Sequence, residues 1–318
     1  MEPGAGATGE NKSSASSAKG ILVLSRIPFL SPGLASLVTG IVIALIDGYE
    51  PETGLILMSI IGLALIMLAT YYFNEYYDYE GDVINRTFIK FSGGSRALPD
   101  QLVPRNVARL AGWSSVAILV VIAATYLILY LDDFPWLLLL ALVGAFFGVF
   151  YSSPPFKWAY RGIGEILIGF CYGILALVSG YYLVSGVLNS DMIIVALPAS
   201  FTIFGVIVAN EFPDIEADRA VGKRNLIVRL GLDKGARMFA VVMLLVYPVM
   251  LLSILVGFTP LTALVALPVL LLCAKVALDT LRGGYRDSQK QLRISGMTLL
   301  SNWLSSLLFI PAAYLTAM

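Results

Sequence analysis

Among its 318 residues the sequence has no histidine. No imidazole is on hand to bind a metal, orient a triad or exchange protons near neutral pH. Cysteine is almost as scarce. Cys171 and Cys273 stand singly inside apolar runs, which excludes a zinc site or a disulfide framework. They read as small buried apolar residues. Charge is short as well, at 13% of residues against 58% hydrophobic, where an ordinary soluble domain carries about 25% charge. That is too little to coat a water-facing surface. A soluble enzyme, a nucleic-acid binder and a disordered scaffold are excluded as the main reading, and no nucleic-acid partner is expected. What remains is an all-α, polytopic membrane helix bundle in contact with lipid.

Residues 1–19, rich in Gly, Ala and Ser, are expected to form a disordered tail. Residues 20–318 are expected to be a single transmembrane domain. The first apolar run has no clear small-residue cleavage site and is followed by many more, unlike a signal peptide. Runs of about 20 apolar residues predict nine spans, at 27–46, 55–77, 107–131, 136–151, 163–185, 191–210, 236–256, 260–281 and 294–316. With nine spans, all 21 Lys and Arg fall on one side or in its adjacent helix ends. That side holds the N-terminus and the long loops 78–106, 152–162, 211–235 and 282–293. The other side holds Asp47, Glu50, Glu52, Asp132, Asp133 and Asp191. The positive-inside rule places the N-terminus and the long loops in the cytoplasm, with the chain integral to the cell membrane.

Two stretches share a pattern. Asn74-Glu-Tyr-Tyr-Asp78-Tyr-Glu-Gly-Asp82 and Asn210-Glu-Phe-Pro-Asp214-Ile-Glu-Ala-Asp218 both read N-E-aromatic-x-D-x-E-x-D. They close the second and sixth spans, which indicates two related halves. On a helix, residues four apart drift by only about 40° per step, so Asn74, Asp78 and Asp82 share a face while Glu75 and Glu80 point elsewhere. Pro213 is expected to kink or restart the sixth helix. A solvated acidic helix end is the bland reading, and repetition on two helices argues against it. Clustered carboxylates call for a cation, and oxygen ligands favour Mg²⁺ or Ca²⁺, with Mg²⁺ commonly completed by substrate phosphates. Arg86, Lys90 and Arg96 follow the first motif; Arg219, Lys223, Arg224 and Arg229 follow the second. Acids for a metal followed by cations suit a diphosphate ester. The Gly93-Gly94-Ser95 segment is either an anion cradle or a plain turn.

These residues resemble the UbiA-type family of intramembrane prenyltransferases, whose pattern is nine helices with N-x-x-x-D-x-x-x-D after the second and D-x-x-x-D after the sixth. The resemblance runs from about residue 20 to the end and includes the Tyr151-Ser-Ser-Pro-Pro-Phe-Lys157 loop with Gly162, Gly164 and Glu165. It implies a Mg²⁺-dependent prenyltransferase acting on a polyprenyl diphosphate. Asp78, Asp82, Asp214 and Asp218 are the implied metal ligands and catalytic residues. Tyr151 is implied near the reacting centre. Asn74, Arg86, Arg96, Asn210, Lys157 and Lys223 are implied on the diphosphate. Aromatic faces can stabilise a carbocation, and Tyr71, Tyr72, Phe73, Tyr76 and Tyr77 lie beside the first motif, where an interfacial belt is the competing reading.

The 93–96 and 210–224 segments look most like the 1,4-dihydroxy-2-naphthoate branch. This implies an aromatic acceptor, a role in menaquinone biosynthesis, and Arg96 or Lys157 on the acceptor carboxylate. Transfer to 4-hydroxybenzoate or geranylgeranylglyceryl phosphate is the alternative within the family. Outside it, a cation-coupled transporter is the alternative, although transporters place such acids near the bilayer midplane. A CDP-alcohol phosphotransferase uses a single contiguous motif, which this chain lacks.

Overall fold

Lipid offers no partners to backbone N–H and C=O groups, so long apolar runs must satisfy them within helices. The computed structural model describes residues 18–318, and no strand occurs among them. The expected tail lies outside the described residues up to position 17, while Ala18 and Lys19 already belong to the first helix. Among the described residues seven helices are long and apolar enough to cross a membrane. They are α1 (Ala18–Ile46), α2 (Thr53–Ile84), α3 (Arg105–Leu129), α5 (Gly164–Ser185), α6 (Asp191–Ala220), α7 (Leu232–Val256) and α9 (Ser288–Ala317). The fourth and eighth of the nine expected positions are filled by shorter helices, α4 (Pro135–Val149) and α8 (Leu267–Leu281), of 15 residues each. At 1.5 Å per residue these reach about 22 Å, less than the ~30 Å hydrocarbon core. The eighth is short because the run breaks at Ala266, ahead of Pro268, leaving a separate turn at Thr262–Val265. The protein is an integral membrane helix bundle.

Helix α1 packs along α5, and α6 packs against α5, α7 and α9; α2 pairs with α3. The α1–α5 contact is backbone to backbone. A side chain on Gly40 would strike the Leu177 carbonyl, and one on Gly180 the Leu37 carbonyl, the small-residue approach that membrane helices favour. Helix α9 is the least apolar of the set, yet Ser301, Asn302, Ser305 and Ser306 are all buried. Asn302, Ser305 and Ser306 serve as interhelical donors or acceptors. Thr39 meets Ser306 at 3.1 Å, Thr202 meets Ser305 at 2.8 Å, and Asn302 Nδ2 donates to the Ala199 carbonyl at 3.0 Å. Such bonds average roughly 0.6 kcal/mol each in lipid.

The restart expected at Pro213 does not occur, for α6 continues through it to Ala220. Proline lacks the N–H that would bond the carbonyl four residues back, which here is Ala209. The buried Gln291 of α9 donates its Nε2 to that carbonyl instead. The helix stays whole because a side chain from a neighbour replaces the missing donor. Asp214 and Asp218 therefore stay on one continuous helix with Asn210.

Candidate active site

The last turns of α2 and α6 line one polar cavity. Asn74, Asp78 and Asp82 enter it from α2; Asn210, Asp214 and Asp218 enter from α6. Four-residue spacing puts each trio on one helix face, as the sequence pattern requires. Glu80 turns outward to Arg105, at 2.9 Å.

Asp78 has three donors on its carboxylate. It accepts hydrogen bonds from Asn74 Nδ2 at 2.8 Å, Tyr160 OH at 3.0 Å and Lys223 Nζ at 3.2 Å. Asp218 accepts from Asn225 Nδ2 at 2.6 Å, with Lys223 Nζ at 3.5 Å. Lys223 thus joins the two motifs. Burial by itself lowers the ammonium pKa, but Asp218 and Asp78 outweigh it and hold Lys223 well above its ordinary value. It remains charged at neutral pH. Burial, followed by the charge of Asp78, raises Tyr160, so this phenol stays a donor. Burial likewise holds Tyr151 well above the usual phenol range.

Asp214 is fixed from the α2 side, by Asn85 Nδ2 at 2.7 Å and the Gly93 backbone N–H at 3.0 Å. The 92–96 turn is itself pinned. Glu75, fully buried, accepts Ser95 N–H at 2.6 Å and Ser95 Oγ at 2.8 Å and pairs with Arg26 at 2.5 Å. Gly94 has φ +72°, and a side chain there would collide with the Asp82 carboxylate. Gly93-Gly94-Ser95 therefore buttresses the acids, with one N–H committed to Asp214. Asn210 Oδ1 is buried with no hydrogen-bond partner among the described residues.

The structure brings Asn74, Asp78, Asp82, Tyr151, Asn210, Asp214, Asp218 and Lys223 into one cavity lining and leaves three expected residues outside it. Arg86 is exposed. Arg96 donates to the Asp82 carbonyl at 2.5 Å and to Asp100 at 3.1 Å, with its guanidinium over Phe88. Lys157 rests over the Tyr160 ring. Of the aromatic residues beside the first motif, Tyr71 lines the cavity; its hydroxyl donates to the Phe29 carbonyl at 2.6 Å and lies 3.0 Å from Tyr172 OH. Tyr76 instead stacks with Arg105 and Arg109. Sequence reading passed over Arg26, Asn85, Tyr160 and Tyr172, all of which line the cavity. Arg26 carried a signal, as a lone cation at the start of an apolar run. Tyr160 carried none, since it reaches Asp78 only through the fold of the 151–164 loop.

Beyond Tyr151 and Tyr172 the polar cavity borders an almost wholly apolar one between α2, α3, α4 and α5, and the two share Thr70, Tyr151, Ile168 and Tyr172 as common wall. Tyr172 lies on a π-helical stretch of α5, Phe170–Leu175, a local widening that often accompanies functional sites. An anionic head and an apolar tail would fit across this boundary.

Known proteins are similar to this chain in sequence and fold. The UbiA prenyltransferase family profile matches residues 34–309. A 1,4-dihydroxy-2-naphthoate octaprenyltransferase of Bacillus subtilis (strain 168) is 27% identical over 216 residues, 67% of this chain and 66% of that protein. The chain covers 66% or less of the length of the curated relatives compared. Two solved structures share the fold. One, from work on digeranylgeranylglyceryl phosphate synthase, has a TM-score of 0.61 at 22% identity over 94% of this chain and 99% of the other. The second is a UbiA homologue from Archaeoglobus fulgidus bound to GPP and Mg²⁺. It has a TM-score of 0.60 at 14% identity, over 91% of this chain and 99% of the other.

Proposed function

The chain belongs to the UbiA prenyltransferase family, and on that premise we propose that it transfers a polyprenyl group from a polyprenyl diphosphate to a planar aromatic acceptor, 1,4-dihydroxy-2-naphthoate, making a menaquinone precursor. The observation that carries this reading is the single cavity lined by both acidic motifs and bordered by an apolar chamber.

Asp78, Asp82, Asp214 and Asp218 are the residues that would hold Mg²⁺. Their chemistry fits: an all-oxygen set, with the unpartnered Asn210 Oδ1 beside it. Among the described residues no three acids close on a single point. Magnesium held by one or two carboxylates with substrate phosphates does not require them to. Bound there, Mg²⁺ supplies positive charge against the departing diphosphate. The chain's own cations, Lys223 and Arg26, add to that field at fixed positions. Asn74, Tyr160 and Asn225 fix the carboxylate orientations by hydrogen bonds. The prenyl chain lies in the apolar chamber, where surrounding lipid and side chains keep water from an allylic cation. Tyr71, Tyr151 and Tyr172 face its reacting end, offering ring faces to positive charge and a stacking surface to a bicyclic acceptor.

The orientation belongs to the same proposal. The N-terminus and the 78–106 and 211–235 loops lie in the cytoplasm, from which diphosphate and acceptor reach the cavity.

The reading is tested by competition. Purified protein with Mg²⁺ and limiting labelled prenyl diphosphate receives equal amounts of dihydroxynaphthoate, 4-hydroxybenzoate and a prenylglyceryl phosphate. Prenylated naphthoate-derived product should dominate. Prenylated glycerol phosphate as the main product would overturn the acceptor and leave the metal site standing.

A further inference from the structure

Arg229 is the last of the four cations that follow the second acidic motif, and it lies outside the cavity lining. It sits on a short helix, Leu226–Leu230, whose cap Asn225 accepts Val228 N–H at 2.8 Å and donates to Asp218 at 2.6 Å. From there its side chain makes two bonds to backbone. Nε donates to the Arg224 carbonyl at 2.7 Å, and Nη2 donates to the Arg161 carbonyl at 2.8 Å. Those carbonyls belong to the residues directly after Lys223 and Tyr160. The Arg224 N–H also donates to the Tyr160 carbonyl at 3.2 Å. Gly162 leaves room for the guanidinium, since a Cβ there would stand 2.5 Å from Arg229 Nε. At their inner ends, Tyr160 OH and Lys223 Nζ bond one carboxylate, Asp78, at 3.0 and 3.2 Å. The contacts close a ring that runs from Asp78 through Tyr160, the Arg161 carbonyl, the Arg229 guanidinium, the Arg224 carbonyl and Lys223 back to Asp78.

We propose that Arg229 is a positioning residue, which sets Tyr160 and Lys223 on Asp78 by holding together the two loops that carry them. The inference rests on the function proposed above, in which Asp78 belongs to the metal site. Tyr160 lies in the connection between α4 and α5, and Lys223 in the one between α6 and α7. A phenol and an ammonium on separate loops meet the same carboxylate only while the loops keep a fixed separation. A planar guanidinium suits that task, because its N–H groups point in set directions and hold two acceptors at a set distance. The loop helix has its own tie to α5, through Leu226 N–H and Glu165 Oε1 at 2.6 Å. Arg229 is exposed, so removing it leaves no cavity in the core. The loops stay folded while the two donors drift on Asp78. Its influence on the site therefore passes through Tyr160 and Lys223.

The test is a double-mutant cycle on the full chain in nanodiscs with Mg²⁺, geranylgeranyl diphosphate and dihydroxynaphthoate. Arg229→Ala should lower kcat/KM for the donor about 10-fold, since misplacing a positioned group by an ångström can cost ~100-fold. In a Tyr160→Phe background the same change should cost no more than about threefold, because one of the two donors that Arg229 places is already gone. Equal costs in both backgrounds mark a merely structural role and overturn the proposal, as does near-wild-type kcat/KM in Arg229→Ala. The ratio of wild type to variant should persist at 1 M salt, where the Debye length is about 3 Å. A ratio that falls to one there would show Arg229 acting as a surface charge that draws in an anionic donor, and would overturn positioning. Arg229→Gln, which can reach only one of the two carbonyls, serves in the same cycle should Arg229→Ala not fold. Amide hydrogen exchange needs no substrate. Arg229→Ala should speed exchange in residues 157–163 and 222–226 and leave α9 at wild-type rates; unchanged exchange in both loops overturns the bridge. Wild-type protein that prenylates no aromatic acceptor overturns the function proposed above, while hydrogen exchange still decides whether Arg229 holds the two loops.

Discussion

Lys223 Nζ stands 3.2 Å from Asp78 and 3.5 Å from Asp218, so one buried cation holds together the acidic ends of two helices from different halves of the chain. Without it, those carboxylates would face each other with little to compensate them.

Replacing Lys223 with Met should therefore destabilise the metal-free protein by several kcal/mol, on the order of the 3–5 typical of breaking a buried ion pair. Added Mg²⁺ with a prenyl diphosphate should restore the variant more than it stabilises the wild type. Thermal unfolding with and without the two ligands measures this. An equal Tm shift in both proteins would show that Lys223 does not share the carboxylates with the metal.

Glu75→Gln should loosen the 92–96 turn, because it removes the ion pair to Arg26 and one acceptor for Ser95. Gly93 N–H would then hold Asp214 less firmly. The expected result is a rise of roughly 10-fold or more in the donor KM, the cost of misplacing a positioned group by a fraction of an ångström. Steady-state kinetics against donor concentration decides it; an unchanged KM would leave the turn without a role in the site.

Gln291→Leu should cost about 1–3 kcal/mol, since it strands the Ala209 carbonyl in the core. In a Pro213→Ala background the backbone supplies its own N–H, and the same change should cost much less. A double-mutant cycle on unfolding in detergent reads the coupling. Equal costs in both backgrounds would mean Gln291 does not replace the donor that Pro213 lacks.

For orientation, a cysteine at Asp132 should react with an impermeant reagent added outside intact cells, and one at Asp100 should react only after permeabilisation. The reverse pattern would invert the topology.

Much of this was legible in the sequence because lipid simplifies the reading. Apolar run length gives the helices, and the repeated N-E-x-x-D-x-x-x-D spacing gives both walls of the cavity. Information that depends on the third dimension was not legible. Pro213 predicts a kink or restart from local rules alone, and the helix continues past it where Gln291 approaches from α9. Arg86, Arg96 and Lys157 are cations near the motifs in sequence, but each turns to solvent, to a backbone carbonyl or to a ring. Lys223 and Arg26 face inward because a helix end and a left-handed residue at Arg26, φ 45°, aim them there. The same limit applies to Glu75 and Glu211, equal in the repeat, since among the described residues only Glu75 has an ion pair and hydrogen-bond donors.

In the proposed function both acidic motifs hold one Mg²⁺–diphosphate. Calorimetric titration of a prenyl diphosphate into the purified protein, with Mg²⁺ and after its removal by chelator, tests it in wild type, Asp82→Asn and Asp218→Asn. Binding should depend on Mg²⁺ and weaken by at least ~10-fold in each variant, about 1.4 kcal/mol, because one substitution lies on α2 and the other on α6. Wild-type affinity in either variant, or tight binding without Mg²⁺, would contradict a site shared by the two helices.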